Sequence, residues 1–311
     1  MFTFQKEQYI YDIGGIKIGG NPGETATVLA GTIFYAGHKI VEDSKQGVFD
    51  TAAAEHLVNA QEQMSDTTGN PSMVQIFAET SEAMKQYIDF VTCYTDAPFL
   101  IDSTYPQVRI DGLIHAEEIG LVDKAIYNSI NISISENEID ALRDLQHECA
   151  IILAFNPQDA SVAGRRAVLE EGAASLDRGL LSLATDLGVR KPLIDTATTA
   201  MGAGAGSAAS FAFISKTVYG HPTGSGIHNA ISSWTWLRKY RKENREAYEM
   251  CDIASNVVVQ SLGADFLLYG PIGNAKQVFP VVAMGDVFAA ESVKMELGVE
   301  PPENHPYRKL L

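Results

Sequence analysis

Short runs of consecutive apolar residues recur along the chain, separated by longer stretches whose apolar positions fall at helical spacing. The runs are TVLAGTIF (27–34), MVQIF (73–77), FLID (99–102), AIYN (125–128), CAIILAF (149–155), PLID (192–195) and ADFLLY (264–269), with a weaker segment, PTGSGI (222–227), between the last two. A strand covered by helices on both faces is apolar on both, so continuous runs without alternation predict a parallel sheet. Between them, EAMKQYIDFV places Met84, Tyr87, Ile88 and Val91 on one helical face. Ser135, three residues before Glu138 and ahead of IDAL, has the form of a capping box. Eight such units with no linker-like composition shift predict a (β/α)8 TIM barrel, with a doubly wound open sheet as the competing arrangement. Ahead of them YIYDIGGIKI (9–18) sets two β-type runs about Gly14-Gly15, which predicts a hairpin with a turn of positive φ. Residues 1–22 are therefore read as an N-terminal hairpin extension of a single domain spanning 1–311.

Composition narrows the function classes. The 311 residues are 46% hydrophobic and 20% charged, an ordinary globular mix. No run approaches the roughly 20 apolar residues of a membrane span, and MFTFQKEQYIYD lacks the basic and apolar parts of a signal peptide. A cytoplasmic protein is expected. A formal charge of −16 would repel nucleic-acid phosphates, so nucleic acid is not expected as a partner. Cys93, Cys149 and Cys251 lie too far apart for a metal pattern and are expected to be inert packing residues.

In a barrel of this kind the strands deliver their last side chains to the C-terminal mouth. Asp102 closes the third strand, Asn128 the fourth and Asp195 the sixth; Asn156 follows the fifth and Asn229 the seventh. Any one of these could instead cap the following helix. Five around one rim point to a shared cavity. Carboxylates accept hydrogen bonds and amides both donate and accept, which suits a neutral heterocycle with an amino-amidine edge better than an anionic phosphate. The glycine-rich segment Met201–Ser207 lacks the GxGxxG spacing, and Gly204 within it is expected in a close-approach or mobile loop above the sixth strand. His38 and His228 fall near the same rim, where polar packing or substrate contact is favoured over metal ligation, since no zinc ligand set assembles. No strand lysine is placed for a Schiff base, and no Asp-x-His-x-x-Gly corrinoid motif occurs, so any corrinoid must arrive on another polypeptide.

These residues carry a resemblance that runs nearly end to end. GGIKIGGNPGETATVLAGTIFYAGHKIVED, DTTGNP, FLIDST, AIYNSIN, ILAFNP, PLIDTA, GAGAG, GSGIHN, SWTWLRKY, ADFLLYGPI and ENHPYRKLL resemble the family formed by the H subunit of tetrahydromethanopterin S-methyltransferase and its soluble relatives acting on methylcorrinoid proteins. The same strands are more distantly similar to the methyltransferases that pass a methyl group from methyltetrahydrofolate to a corrinoid protein. In those, the Asp of an LDS segment, the Asn of an INS segment and the Asp of an IDP segment bind the pterin ring. The resemblance carries these roles to Asp102, Asn128 with Ser129, and Asp195; Asn156, reached above from the end of the fifth strand, is read as a further pterin contact. It assigns the contact with the reacting N5 to Asn229 of Gly226-Ile227-His228-Asn229, with His228 and Gly226 as supporting loop positions. Asp195 is followed by Thr196 where that family has Pro, and His228 stands where it has Ser.

The resemblance implies a methyltransferase working between N5 of tetrahydromethanopterin or tetrahydrofolate and the cobalt of a partner's corrinoid. It further implies other subunits of a membrane-bound complex as possible partners, a peripheral location through that complex, and a homodimer. A non-catalytic docking subunit and a barrel lyase are the competing readings.

Overall fold

In the computed structural model, residues 2–173 and 176–311 are described. The chain opens with an antiparallel hairpin, β1 (Ile10–Ile13) and β2 (Ile16–Gly19). Gly14 and Gly15 at its turn have φ of 53° and 89°, the pair of left-handed residues that joins right-twisted strands in two residues. Then follow β3 (Val28–Ile33), a small antiparallel pair β4 (Val41–Asp43) and β5 (Val48–Phe49), β6 (Ser72–Phe77), β7 (Phe99–Asp102) and β8 (Ala125–Ile130). The remaining strands are β9 (Cys149–Leu153), β10 (Lys191–Asp195), β11 (Thr223–Ser225) and β12 (Phe266–Pro271). Strands β3, β6, β7, β8, β9, β10, β11 and β12 close in that order into a parallel barrel.

Helices α1 (Thr51–Thr68), α2 (Ser81–Thr92), α3 (Pro106–Glu118), α4 (Glu136–Asp144), α5 (Val162–Glu170) and α6 (Leu180–Asp186) surround its first strands. They are followed by α7 (Ala205–Tyr219), the short α8 (His228–Ser233) and α9 (Thr235–Tyr240), α10 (Arg245–Gln260), α11 (Ala275–Leu297) and α12 (Pro306–Leu310). Among the described residues no helix is long and apolar enough to cross a membrane.

The strand side chains sort by period two. Val28, Ala30, Met73, Leu100, Ile126, Cys149, Ile151, Leu193, Phe266 and Leu268 pack with one another inside the barrel. Intervening residues such as Val74, Ile76, Ile101, Tyr127, Ile152 and Ile194 pack outward with the helices. Ile13 and Ile18 of the hairpin belong to the interior cluster and are fully buried. A Cβ on Gly14 would stand 2.9 Å from Lys124 and 3.2 Å from Pro98, residues that precede β8 and β7, so the hairpin stoppers the N-terminal end. Each of its two isoleucines contributes about 1.5–3 kcal/mol of burial.

The open-sheet alternative is thus replaced by a closed barrel, and several local expectations are refined. The seventh strand is only Thr223–Ser225, because the chain turns into α8 immediately after Ile227. The β4–β5 pair was not legible in the apolar runs. Ser135 accepts from the Glu138 N–H at 3.3 Å, but the Glu138 side chain does not reach back to complete the capping box. Glu138 instead turns inward to a buried pair with Arg109 at 2.6 Å, since a guanidinium at 7% side-chain exposure requires a counter-charge. Cys93 is exposed, contrary to the packing role expected of it, whereas Cys149 is buried beside the stopper.

A second buried pair ties α7 to the floor. Lys216 Nζ donates to both oxygens of Asp265 at 2.7 Å and to Gly20 O at 2.8 Å. Replacing Lys216 by Met would leave Asp265 buried without its cation. Lys216→Met is expected to lower the unfolding free energy by about 3–5 kcal/mol in chemical denaturation. A loss below about 1 kcal/mol would show that Asp265 is solvated otherwise.

Candidate active site at the barrel mouth

Two residues above the apolar interior layer, the same inward positions become polar. Ala30 is followed by Thr32, Met73 by Gln75, Leu100 by Asp102, Ile126 by Asn128 and Leu193 by Asp195, while Ile151 is followed by Leu153. The register places Thr32 level with Gln75, Asp102 with Asn128, and Leu153 with Asp195. Strand periodicity and register together therefore build one polar layer at the C-terminal opening.

Hydrogen bonds orient its carboxylates. Thr32 Oγ1 donates to Gln75 Oε1 at 2.8 Å, which turns Gln75 Nε2 toward Asp102 Oδ2, 2.7 Å away. Across the mouth the Ala197 N–H donates to Asp195 Oδ1 at 2.7 Å. Ala197 reaches it from the left-handed region, φ 54°, at a cost of about 1 kcal/mol. That loop is clamped by Arg165, whose Nε donates to Thr196 O at 2.8 Å and Nη2 to Ala197 O at 3.1 Å. Among the described residues each carboxylate thus has one oxygen fixed and the other without a protein donor.

Burial raises both acids. Asp102 is pushed up to about 6 by desolvation, opposed by the Gln75 hydrogen bond and the Arg109 charge. Asp195 is likewise pushed up to about 6 by desolvation, opposed by the Ala197 N–H and Arg165, with the Asp102 charge adding to the rise. That coupling places the two acids in each other's field.

The opening has two lobes. One, of about 350 Å³, is bordered by Thr32, Gln75, Phe77, Asp102, His228 and Gly270 among others. The other, of about 200 Å³, is bordered by Leu153, Phe155, Asp195, Ala197, Thr198 and Gly226. Asn229 and Leu268 line both. Asn229 stands exposed at the start of α8, its amide folded over Gly226, where a Cβ would lie 3.1 Å from Nδ2. Among the described residues the side-chain amides of Asn128 and Asn229 have no hydrogen-bond partner, so two NH2 groups and two carbonyl oxygens remain available.

Beside Asn229, the His228 ring lies on the backbone of Gly270, where a Cβ would come within 2.8 Å of Nδ1. Gly270, φ 89°, sits at an irregularity in β12 and opens that space. Burial lowers His228 to about 4, so it is neutral at pH 7.

Asn128, level with Asp102 in the register, is not among the residues bordering either lobe, and the other sequence candidates lie apart from them as well. Asn156 spends its amide on its own loop, Oδ1 accepting from the N–H of Gln158 and Asp159 at 3.0 and 3.3 Å and Nδ2 donating to Gly164 O at 3.2 Å. It is a loop cap, as the simpler reading of any single strand-end amide had it. Ser129 is buried and its hydroxyl is 3.4 Å from Asn131 Nδ2. Gly204 starts α7 with φ 107°, and the close approach it permits is to Ala160 rather than to the mouth. His38 accepts from the Phe34 N–H at 3.1 Å and stacks on Tyr35, a packing role at the rim. Gln75, Thr32, Ala197 and Arg165 were missed. Gln75 carried a signal, as the polar residue two positions beyond Met73 in an otherwise apolar strand.

Comparison with known proteins gives the family and the fold. The family model for the tetrahydromethanopterin S-methyltransferase MtrH subunit matches residues 6–302. The H subunit of tetrahydromethanopterin S-methyltransferase from Methanothermobacter thermautotrophicus is 52% identical over 311 residues, covering 100% of both chains. The corresponding H subunit from Methanocaldococcus jannaschii is 49% identical over 320 residues, again covering 100% of both. Among solved structures, dihydropteroate synthase of Coxiella burnetii in complex with pteroic acid superposes with a TM-score of 0.59 at 10% identity, covering 89% of this chain and 98% of that one. The Xanthomonas albilineans dihydropteroate synthase in complex with 7,8-dihydropteroate gives 0.55 at 15% identity, covering 91% and 98%. These two share the barrel fold. With a family match spanning nearly the whole chain and full-length relatives at 49–52% identity, the protein belongs to the MtrH family of tetrahydromethanopterin S-methyltransferase subunits.

Proposed function

We propose that the mouth binds the ring of a tetrahydropterin and that the chain moves a methyl group between ring nitrogen N5 and the cobalt of a corrinoid on a partner protein. The observation that carries this is the pair Asp102 and Asp195, each with one oxygen held by a protein donor and the other free toward one opening. Two such acceptors match the N–H groups of an amino-amidine edge, and the Asn128 amide serves a ring position that both donates and accepts. Leu153, Leu268 and Phe77 supply apolar contact for a flat bicycle. Tetrahydromethanopterin is the pterin in the names of the relatives.

A methyl group leaves N5 with difficulty, because the bonding pair must stay on nitrogen. Stabilisation at N5 therefore has to grow in the transition state. In this reading Asn229 Nδ2–H faces N5 and orients the water that delivers its proton, while neutral His228 adds no positive charge to oppose that transfer. Asp102, Asn128 and Asp195 fix the ring so that the N5–CH3 bond points out of the mouth, where positioning contributes several kcal/mol. The partner's corrinoid supplies a cobalt(I) nucleophile, which takes the methyl carbon as nitrogen takes the proton. Run in reverse, the same contacts hold N5 as the nucleophile. The corrinoid protein and the other subunits of a methyltransferase complex are the partners in this reading.

Mixing the purified chain with N5-methyl-tetrahydromethanopterin and free cobalt(I) corrinoid should bleach the cobalt(I) absorbance. An unchanged spectrum with demonstrable pterin binding would leave a docking role instead. Asn229→Ala is expected to slow transfer by about a hundredfold while pterin affinity falls less than about threefold. Asp102→Ala should act the other way, with affinity falling first and by about tenfold or more. Because the carboxylates must be ionised to accept from the ring, and both sit at about 6, affinity should be full above that pH. Below it, affinity should fall by up to about tenfold per pH unit for each carboxylate, as measured by calorimetry. A flat profile between pH 5 and 8 would argue that neither acid meets a ring N–H.

A further inference from the structure

We propose that the cavity adjoining the mouth on the α8–α10 side binds the anionic tail of the pterin substrate. The proposal rests on the pterin reading above and extends it from the ring to the substituent. The cavity, of about 550 Å³, is bordered by His228, Arg241, Arg245, Tyr248, Asp252 and Pro271 among others. His228 and Pro271 also border the larger mouth lobe, so the two spaces meet at the imidazole.

Pterin covalent structure gives the direction. In a tetrahydropterin the tail is attached at C6, the ring atom bonded to N5. A ring whose N5 faces Asn229 therefore carries its tail one bond from that contact, within reach of His228, which borders both spaces. The tail of either tetrahydropterin considered above ends in carboxylate or phosphate groups, so its path should become cationic.

It does, in a chain that is otherwise acidic. Arg238, Lys239, Arg241, Lys242 and Arg245 put five of the 23 lysines and arginines into eight residues, with Glu243 as the one acid among them, against a net charge of −16. Arg241 lies 4.8 Å over the Tyr248 ring and has no carboxylate partner among the described residues, which leaves the edge of its guanidinium free to fork an anion. Arg245 gives Nε to Glu249 at 2.7 Å, leaving its terminal nitrogens available.

Two acids share the lining, Glu249 and Asp252, and both fit. Glu249 is spent on Arg245. Asp252 has a buried Oδ1 with no donor, suited to a hydroxyl or N–H of the linking part of the tail before its charged end. A concave surface shared with the ring site favours a ligand tail over an acidic protein face, for which the exposed Arg238, Lys239 and Lys242 would be the natural contacts.

Calorimetry on the full chain separates these. The probes are N5-methyl-tetrahydromethanopterin, N5-methyl-tetrahydrofolate and 5,6-dimethyltetrahydropterin, which has the ring without the tail. Arg241→Ala with Arg245→Ala is expected to weaken the tailed ligands by about tenfold or more and the tailless one by less than about twofold. If only the phosphate-bearing tetrahydromethanopterin suffers, the site reads phosphate; if both tailed ligands suffer alike, it reads carboxylate. Equal losses for tailed and tailless ligands, or no loss for either, would overturn the proposal. So would unchanged affinities with slower transfer to a corrinoid protein, which would assign the strip to that partner. Asp102→Ala is the control for the ring reading: it should weaken all three ligands, and if it weakens none the ring site fails independently of the arginine result.

Discussion

A closed barrel cannot keep polar side chains in its packed interior without partners, yet it must expose them where it opens. Strand alternation turns that constraint into a site. Because inward positions repeat every second residue, Leu100 and Asp102, or Leu193 and Asp195, belong to one column, with the apolar member packed in the interior layer and the polar member at the lip. The carboxylates of the polar layer are half satisfied by the protein, which leaves the other half to whatever fills the opening. The chain from Thr32 through Gln75 to Asp102 fixes one acid by side chains; a strained Ala197 and the Arg165 clamp fix the other by backbone.

The same arrangement accounts for the electrostatics. Removal from water makes both carboxylates resist ionisation, which is why both stand near 6 and not near 4, and the Asp102 charge adds a smaller rise at Asp195. Donors from a bound heterocycle would relieve that penalty, so part of the binding energy is already stored in the free site. His228, pushed the opposite way by the same desolvation, adds no positive charge beside Asn229.

Much of this was legible in the residues. Continuous apolar runs identified seven of the eight strands, the regular alternation placed the eighth at PTGSGI, and an Asp or Asn closing or following five of them put Asp102, Asn128, Asp195 and Asn229 near the lip. Asn156 shows where that inference stops: a strand-end amide can serve its own loop, and only the direction of the side chain tells the two uses apart. Arg165 was invisible for a related reason, since a basic residue in a helix carries no mark of the carbonyls it will meet in three dimensions. Glu138 obeyed its local motif by half and then answered to Arg109, a residue 29 positions away. The basic strip at 238–245 is plain in the sequence, but its nearness to the mouth depends on the brevity of β11 and the turn into α8.

The hairpin at the chain's start has a kinetic meaning beyond its packing. With Ile13 and Ile18 filling the base, the door that the proposed ligands would use is the polar lip. A small molecule lodged at the lip and a macromolecule pressed over it would then have to take turns at that door, the small one arriving first and leaving last. Traffic of this kind makes the order of events a property of topology, and no separate gate is needed to impose it.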